Sequence, residues 1–196
     1  ATYETVMARL DAPLPLGYSA AGVIKAVGAG LEGEFWVGGR VAIAGAGIAN
    51  HAELNVVPRN LAASVPDGVS DEEAAFGTVG AVAMHAVRNA EVRLGEIVAV
   101  LGCGLVGQMA ARLLTLSGCR VICLDYNPER LKLATEWGAE QVLDLAKDGV
   151  EMNIREMTQG RGVDAIVIAA ATESSEPFDT AAAIARDRAR VVMVGM

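Results

Sequence analysis

Three glycines and one aspartate carry the clearest chemistry in this chain. Gly102, Gly104 and Gly107 lie in Ile97-Val98-Ala99-Val100-Leu101-Gly102-Cys103-Gly104-Leu105-Val106-Gly107, an apolar strand-like run that breaks into a glycine turn and resumes as an apolar helical pattern. That order suits a diphosphate. The first glycine permits a sharp turn out of the strand, the second leaves room for a pyrophosphate to reach the backbone, and the third lets the helix pack closely. A helix starting at Leu105 and Val106 aims its unpaired N–H groups and positive dipole end at that phosphate. Asp125 closes the next strand roughly 20 residues on, where a carboxylate accepts hydrogen bonds from the adenosine ribose hydroxyls and opposes a 2′-phosphate. The expected cofactor is therefore NAD, with NADP not excluded because Arg130 could receive a 2′-phosphate. Tyr126 and Arg130 are placed to flank the adenine or the ribose. Ala169, Ala170 and Gly195 end later strands at the carboxyl edge of the sheet, where ligands bind.

A bare glycine pattern is weak, as the chain itself demonstrates. A second literal match stands at Gly28, Gly30 and Gly33, and a near match at Gly45, Gly47 and Asn50. After Gly33 come Glu34-Phe35-Trp36-Val37 and another glycine pair, so no helix can begin there; after Asn50 the chain runs into Val56-Val57-Pro58, a strand and turn signal. Only the third match lies between a β-branched strand and a helix, with Val106, Met109, Ala110, Leu113 and Leu114 at helical spacing and Gly118 past its end. A SAM-dependent methyltransferase also uses a glycine-rich first turn and an acidic strand end, but prefers a looser loop than one closed by Gly107.

The elements that must position this turn follow from composition and period. The 196 residues are 53% hydrophobic, enough for one large domain or one domain and part of another. Sixteen basic residues against 24 acidic ones give a net charge of −8 without a basic stripe, so nucleic acid is not an expected partner. No apolar run reaches the length of a membrane span and no signal-peptide pattern opens the chain, which makes a cytoplasmic location the default expectation. Cys103, Cys119 and Cys123 lack CxxC spacing and read as reduced core residues. Cys103 alone sits near a helix N-terminus, where thiolate character could rise; an inert role is the reading adopted.

Residues 1–66 have the texture of an irregular, barrel-like β domain, with strands expected at Gly22–Val27, Arg40–Ala44 and Ala52–Val57. Pro66-Asp67-Gly68 is a turn, and Ser70 with Glu73 forms a capping box for one long helix running to about Ala90. From there elements alternate: strand Ile97–Leu101, helix Leu105–Ser117, strand Arg120–Asp125, a helix capped by Asn127 with Pro128 at its first position, strand Gln141–Leu143, a helix near Val150–Gln159, strand Val163–Ala169, a helix over Glu176–Ala185 and strand Val191–Val194. Such alternation predicts an α/β fold with a doubly wound parallel sheet over residues 67–196. Both ends read as cut, and the last apolar strand is expected on a sheet edge that a missing segment or another chain covers, as in a homo-oligomer.

Taken together, Gly17-Tyr18-Ser19-Ala20-Ala21-Gly22-Val23, Val37-Gly38-Gly39-Arg40-Val41, Ala52-Glu53-Leu54, Pro66-Asp67-Gly68-Val69-Ser70 with Glu73-Ala74-Ala75, and the nucleotide unit resemble the medium-chain dehydrogenase/reductase superfamily. The resemblance implies a partial GroES-like β domain joined to a Rossmann domain, and a chain that is a fragment of a longer enzyme. Zinc-dependent members begin the first block Gly-His-Glu, the histidine ligating catalytic zinc; here Tyr18 and Ser19 stand there, and Thr78 stands where another ligand is expected. Tyrosine and threonine do not readily replace nitrogen, sulfur or carboxylate donors around zinc. The four-cysteine structural zinc loop is absent too, so the resemblance implies a zinc-independent branch, similar to the dehydrogenase half of bi-domain oxidoreductases.

Without a metal, donors must stabilise the charge that develops on a substrate oxygen during hydride transfer. The resemblance puts Tyr18, Ser19, His51 and Thr78 nearest the cleft between the domains. Tyr18 is the first choice as donor, with packing under the cofactor as its alternative role. His51 belongs to the residue type that exchanges protons near neutral pH, with loop bracing as its alternative. The expected function is hydride transfer between NAD and a small carbonyl, alcohol or enone substrate; the competing reading is a nucleotide-binding module that does not catalyse.

Overall fold

The computed structural model describes residues 15–147 and 149–194. The expected site residue Gly195 lies outside them. The chain divides into two units between Thr78 and Val79.

In the first unit, β1 (Ser19–Val23), β2 (Arg40–Ala44) and β3 (Ala62–Ser64) form an antiparallel sheet in the order β1-β2-β3. Ser19 pairs with Ala44 and Ile43 with Ala62. Two expected strands are corrected. The first stops at Val23 because Ile24 faces two residues of the opposite segment at once, donating to Gly39 O and accepting from Gly38 N, each at 2.9 Å, so the one-to-one ladder ends there. Ala52–Val57 is not a strand. The Asn55 amide instead folds this stretch back onto Asn50, accepting from its N–H at 3.0 Å and donating to its carbonyl at 3.2 Å. No buried face rewards extension there, since Leu54 and Val56 are exposed.

The Ser70–Glu73 capping box forms as expected, with Glu73 N donating to Ser70 Oγ at 3.1 Å and Ser70 N donating to Glu73 Oε2 at 2.8 Å. The helix it starts is not the expected long one. It breaks into α1 (Asp71–Ala74) and α2 (Gly77–Asn89). Ser19 causes the break by taking over helix hydrogen bonds: its hydroxyl donates to Ala75 O at 2.6 Å and accepts from Thr78 N at 3.3 Å. In a continuous helix those groups would bond to residues one turn away.

The second unit holds a parallel sheet ordered β6-β5-β4-β7-β8, built from β4 (Ile97–Leu101), β5 (Arg120–Asp125), β6 (Gln141–Asp144), β7 (Val163–Ile168) and β8 (Ala185–Met193). Every residue of β4 is buried, as a central strand covered on both faces requires. The period of two splits the core. Val98, Val100, Val121, Cys123, Ala165 and Val167 pack with α2, α3 (Leu105–Leu116) and α4 (Pro128–Glu136) on one face. Ile97, Ala99, Leu101, Ile122, Leu124 and Ile166 pack with α5 (Val150–Met157) and α6 (Glu176–Ile184) on the other. The doubly wound α/β sheet is therefore as expected.

β8 begins at Ala185, well before the expected Val191, because it crosses a register jump: Val163 pairs with Ala185 but Ala165 with Arg190. Arg186 Nε holds Asp164 Oδ1 at 2.6 Å within the jump, and Arg188 takes the left-handed conformation at φ 63°. Among the described residues β8 is an edge strand, with Val191 and Met193 half-exposed, as expected for the last apolar strand. No described helix is long and apolar enough to cross a membrane.

Candidate functional site

Where β4 ends, the glycine turn closes against both neighbouring strands. Gly102 N donates to Leu124 O and Ala169 N donates to Leu101 O, both at 2.8 Å. Gly102 has φ 90°, and a Cβ there would stand 2.7 Å from Ala170 N, so both conformation and space demand glycine. Gly104 caps α3 and has open space where a Cβ would go. At Gly107 a Cβ would stand 1.9 Å from Gly102 O and 3.6 Å from Ala169 Cβ. The close approach expected at Gly107 is thus to the turn's own carbonyl rather than to the sheet.

The turn opens onto a cleft of about 740 Å³. Of the sequence-expected residues, Gly102, Gly104, Asp125, Tyr126, Arg130, Ala169 and Ala170 line it. Leu105, Val106 and Gly107 stand behind its lining, in the first turn of α3, where backbone N–H groups have no intrahelical acceptor.

Asp125 is buried, and its carboxylate is already engaged. Oδ2 accepts from Cys103 N at 2.6 Å and Oδ1 from Asn127 N at 2.8 Å, while Arg130 Nη1 lies 3.6 Å from Oδ2. The same acid that faces the cleft therefore holds the glycine turn against the start of α4. Arg130 is exposed apart from that contact. Cys103 is buried beneath the turn with its thiol donating to Leu124 O at 3.6 Å. Hydrogen bonding with Cys123, then burial, raises its pKa far above the ordinary thiol value, so the thiol stays protonated. Burial likewise raises Cys119.

Several lining residues escaped the sequence reading. Glu176, in the first turn of α6, accepts a hydrogen bond from the Tyr126 hydroxyl and links two walls of the cleft. Thr172, Pro177 and Thr180 come from the same wall. Only the tertiary fold brings them to the turn, although helix-start acids such as Glu176 are a recognisable local signal. Gln108 was missed as well; its signal was a polar residue among the apolar positions of α3.

The first unit holds the residues expected to do chemistry. Tyr18 is half-exposed, and its hydroxyl makes no hydrogen bond to the described residues. Its carbonyl accepts from Gly45 N at 2.9 Å. His51 is exposed; its N–H donates to Leu16 O at 2.7 Å and its ring crowds Gly17, where a Cβ would lie 2.6 Å from Cδ2. His51 is thereby brought next to Tyr18 along the chain. Thr78 joins Ser19 as described and donates through Oγ1 to Ile43 O at 3.4 Å. No three His, Cys, Asp or Glu side chains among the described residues group closely enough to hold a metal ion.

A family described as zinc-binding dehydrogenase matches residues 106–196. The chain is similar to members of the medium-chain dehydrogenase/reductase superfamily, as the resemblance implied. Among its relatives, the erythritol/L-threitol dehydrogenase of Mycolicibacterium smegmatis is 34% identical over 113 residues, covering 57% of this chain and 31% of that protein. The sorbitol dehydrogenase of Bacillus subtilis is 28% identical over 183 residues, covering 79% and 52%. A mycobacterial protein solved in complex with NADPH superposes with a TM-score of 0.83 at 30% identity, covering 97% of this chain and 60% of that one. The chain spans about a third to a half of the length of the curated relatives it matches.

Proposed function

We propose that this chain is part of a member of that superfamily and serves hydride transfer between a nicotinamide cofactor, NAD in preference to NADP, and a small carbonyl, alcohol or enone substrate, without catalytic zinc. One observation carries the cofactor reading: Gly104 leaves open space above a turn that Gly107 closes from behind, and the turn opens on a cleft ending at Asp125 and Arg130. The α3 amides would hold the pyrophosphate and Asp125 the ribose. The tight contact at Gly107 suits this use better than a methyltransferase loop. When bound, the nicotinamide supplies or takes the hydride at the substrate carbon.

The protein's own task is to stabilise charge on the substrate oxygen. Tyr18 is the proposed donor, supported by its half-exposed hydroxyl, with His51 proposed to exchange the proton and Thr78 to assist. The donor chemistry at Tyr18, Ser19 and Thr78 does not fit zinc. A second reading, a nucleotide-binding module without turnover, draws on the Ser19 and Thr78 hydroxyls being committed to backbone groups. We also propose a cytoplasmic location and a homo-oligomer, the second supported by the half-exposed Val191 and Met193 of edge strand β8.

Fluorescence titration with NADH and NADPH, followed by turnover assays on sugar alcohols, aldehydes and enones with and without a zinc chelator, tests the reading. Tighter NADH binding and chelator-insensitive turnover are expected. Binding without turnover supports the module, tighter NADPH binding refutes the assignment of Asp125, and loss of activity to the chelator refutes the metal-free mechanism.

A further inference from the structure

Gln108 is a buried amide on the apolar face of α3, beside the buried Ala110, Ala111 and Leu114. Its Nε2 donates to Cys103 O at 3.1 Å and to Arg130 O at 2.7 Å. Facing two carbonyls, the amide can present only its NH2 group to them, and Oε1 is left buried without a partner. The orphaned oxygen is a cost set against the two bonds that Nε2 donates, which a methionine or leucine could not make. The two bonds complete a ring. Cys103 N reaches Asp125, Asp125 reaches the Arg130 guanidinium, and the Arg130 carbonyl returns through Gln108 to Cys103 O.

The ring matters because of where α4 is otherwise held. At its far end Arg112 Nη1 donates to Trp137 O at 2.9 Å and Thr115 Oγ1 to Gly138 O at 3.4 Å, tying α3 to the end of α4. At the cleft end Gln108 makes the direct side-chain bond from α3 to α4. The Asn127 cap, which accepts from Arg130 N at 3.3 Å, moves with α4 and cannot substitute. Asp125 Oδ1 holds the residue ahead of α4 through Asn127 N, and Leu131 and Ala134 bury its inner face, so Gln108 is the α3 contact that fixes the Arg130 backbone itself.

We infer that Gln108 is a positioning residue for cofactor choice: by pinning the start of α4 to the phosphate turn, it keeps Arg130 on Asp125 and so withholds the guanidinium from a 2′-phosphate. This rests on the nicotinamide reading above. It is tested by the ratio of dissociation constants for NADPH and NADH, measured by fluorescence titration. Gln108→Met removes both donors at nearly constant volume. The ratio is expected to exceed one in the parent protein and to fall at least about threefold in Gln108→Met. It is expected not to fall in Gln108→Met combined with Arg130→Ala, because the released cation is gone. Should the methionine variant fail to fold, Gln108→Asn keeps an amide too short to span both carbonyls, and the same fall is expected.

Equal weakening of both cofactors marks a merely structural role and overturns the inference. So does an unchanged or increased ratio, or a fall that persists in the double variant. A parent ratio below one overturns it while leaving the oxidoreductase reading intact, whereas a parent that binds neither cofactor overturns both.

Discussion

Replacing Gly107 by alanine separates packing from ligand contact when it is compared with the same change at Gly104. At Gly107 the new Cβ would stand 1.9 Å from Gly102 O, and real Cβ atoms essentially never come closer than 3.0 Å, so α3 and the turn must part by about 1 Å. The obstacle is a backbone carbonyl that no rotamer change removes. Overpacking of this kind costs about 3 kcal/mol, the upper end of the usual range, and lowers Tm by roughly 6–12 °C in a chain of this size. The displacement would also draw the α3 amides off the pyrophosphate proposed to bind there. Losing one or two charge-assisted hydrogen bonds at about 1.5 kcal/mol each weakens NADH roughly 10- to 100-fold. Gly104 has an ordinary φ of −69° and open space where its Cβ would go. Gly104→Ala should therefore leave Tm within about 2 °C while filling the space proposed for the pyrophosphate, with a loss of NADH affinity roughly as large. Thermal unfolding by circular dichroism and NADH fluorescence titration read the two effects separately. Parent-like stability and affinity in Gly107→Ala would refute the packing account, and parent-like affinity in Gly104→Ala would refute the assignment of the turn to the pyrophosphate.

Three further outcomes are expected. Arg188→Gly should stabilise the fold by about 1 kcal/mol, since an exposed arginine at φ 63° is strained and glycine relieves that at a smaller entropic cost; a lower urea midpoint would show that Arg188 contributes contacts outweighing its strain. Native Cys103 and Cys119 keep their protons at pH values where the unfolded chain loses them, so their stability is fully present below the ordinary thiol value of 9.0 and is eroded as pH rises beyond it. Each contributes a slope of up to about 1.4 kcal/mol per pH unit there, and Cys103→Ala should flatten urea-derived stability between pH 9 and 10.5. Glu140 is held below its ordinary value by its hydrogen bond with Arg120, a surface pair whose small contribution is present above that value and fades as pH falls. Glu140→Gln is expected to change stability by less than about 1 kcal/mol at pH 7 and by still less at pH 3, and an equal loss at both would exclude the ion pair as its source.

Local order was legible in the chain because its causes are local. The Ser70–Glu73 box, the Asn127 cap with Pro128 behind it, the Gly102 turn and the buried run of β4 each depend on residues a few positions apart, and each stands where spacing and period put it. What sequence could not show was decided by contacts between distant residues. Ser19 splits an otherwise plausible long helix from more than 50 positions away, and Asn55 turns a strand-like stretch back onto Asn50. Asp125 announced itself as an acid ending a strand, but its two backbone donors and its hold on Arg130 arise only when β4, β5 and α4 converge. Gln108 and Glu176 carried only weak local signals, and their roles were set by a partner on another element: Arg130 O behind the cleft for the first, Tyr126 across it for the second. Backbone propensity is set by near neighbours along the chain, whereas the partner of a polar side chain is set by which elements the folded core presses together.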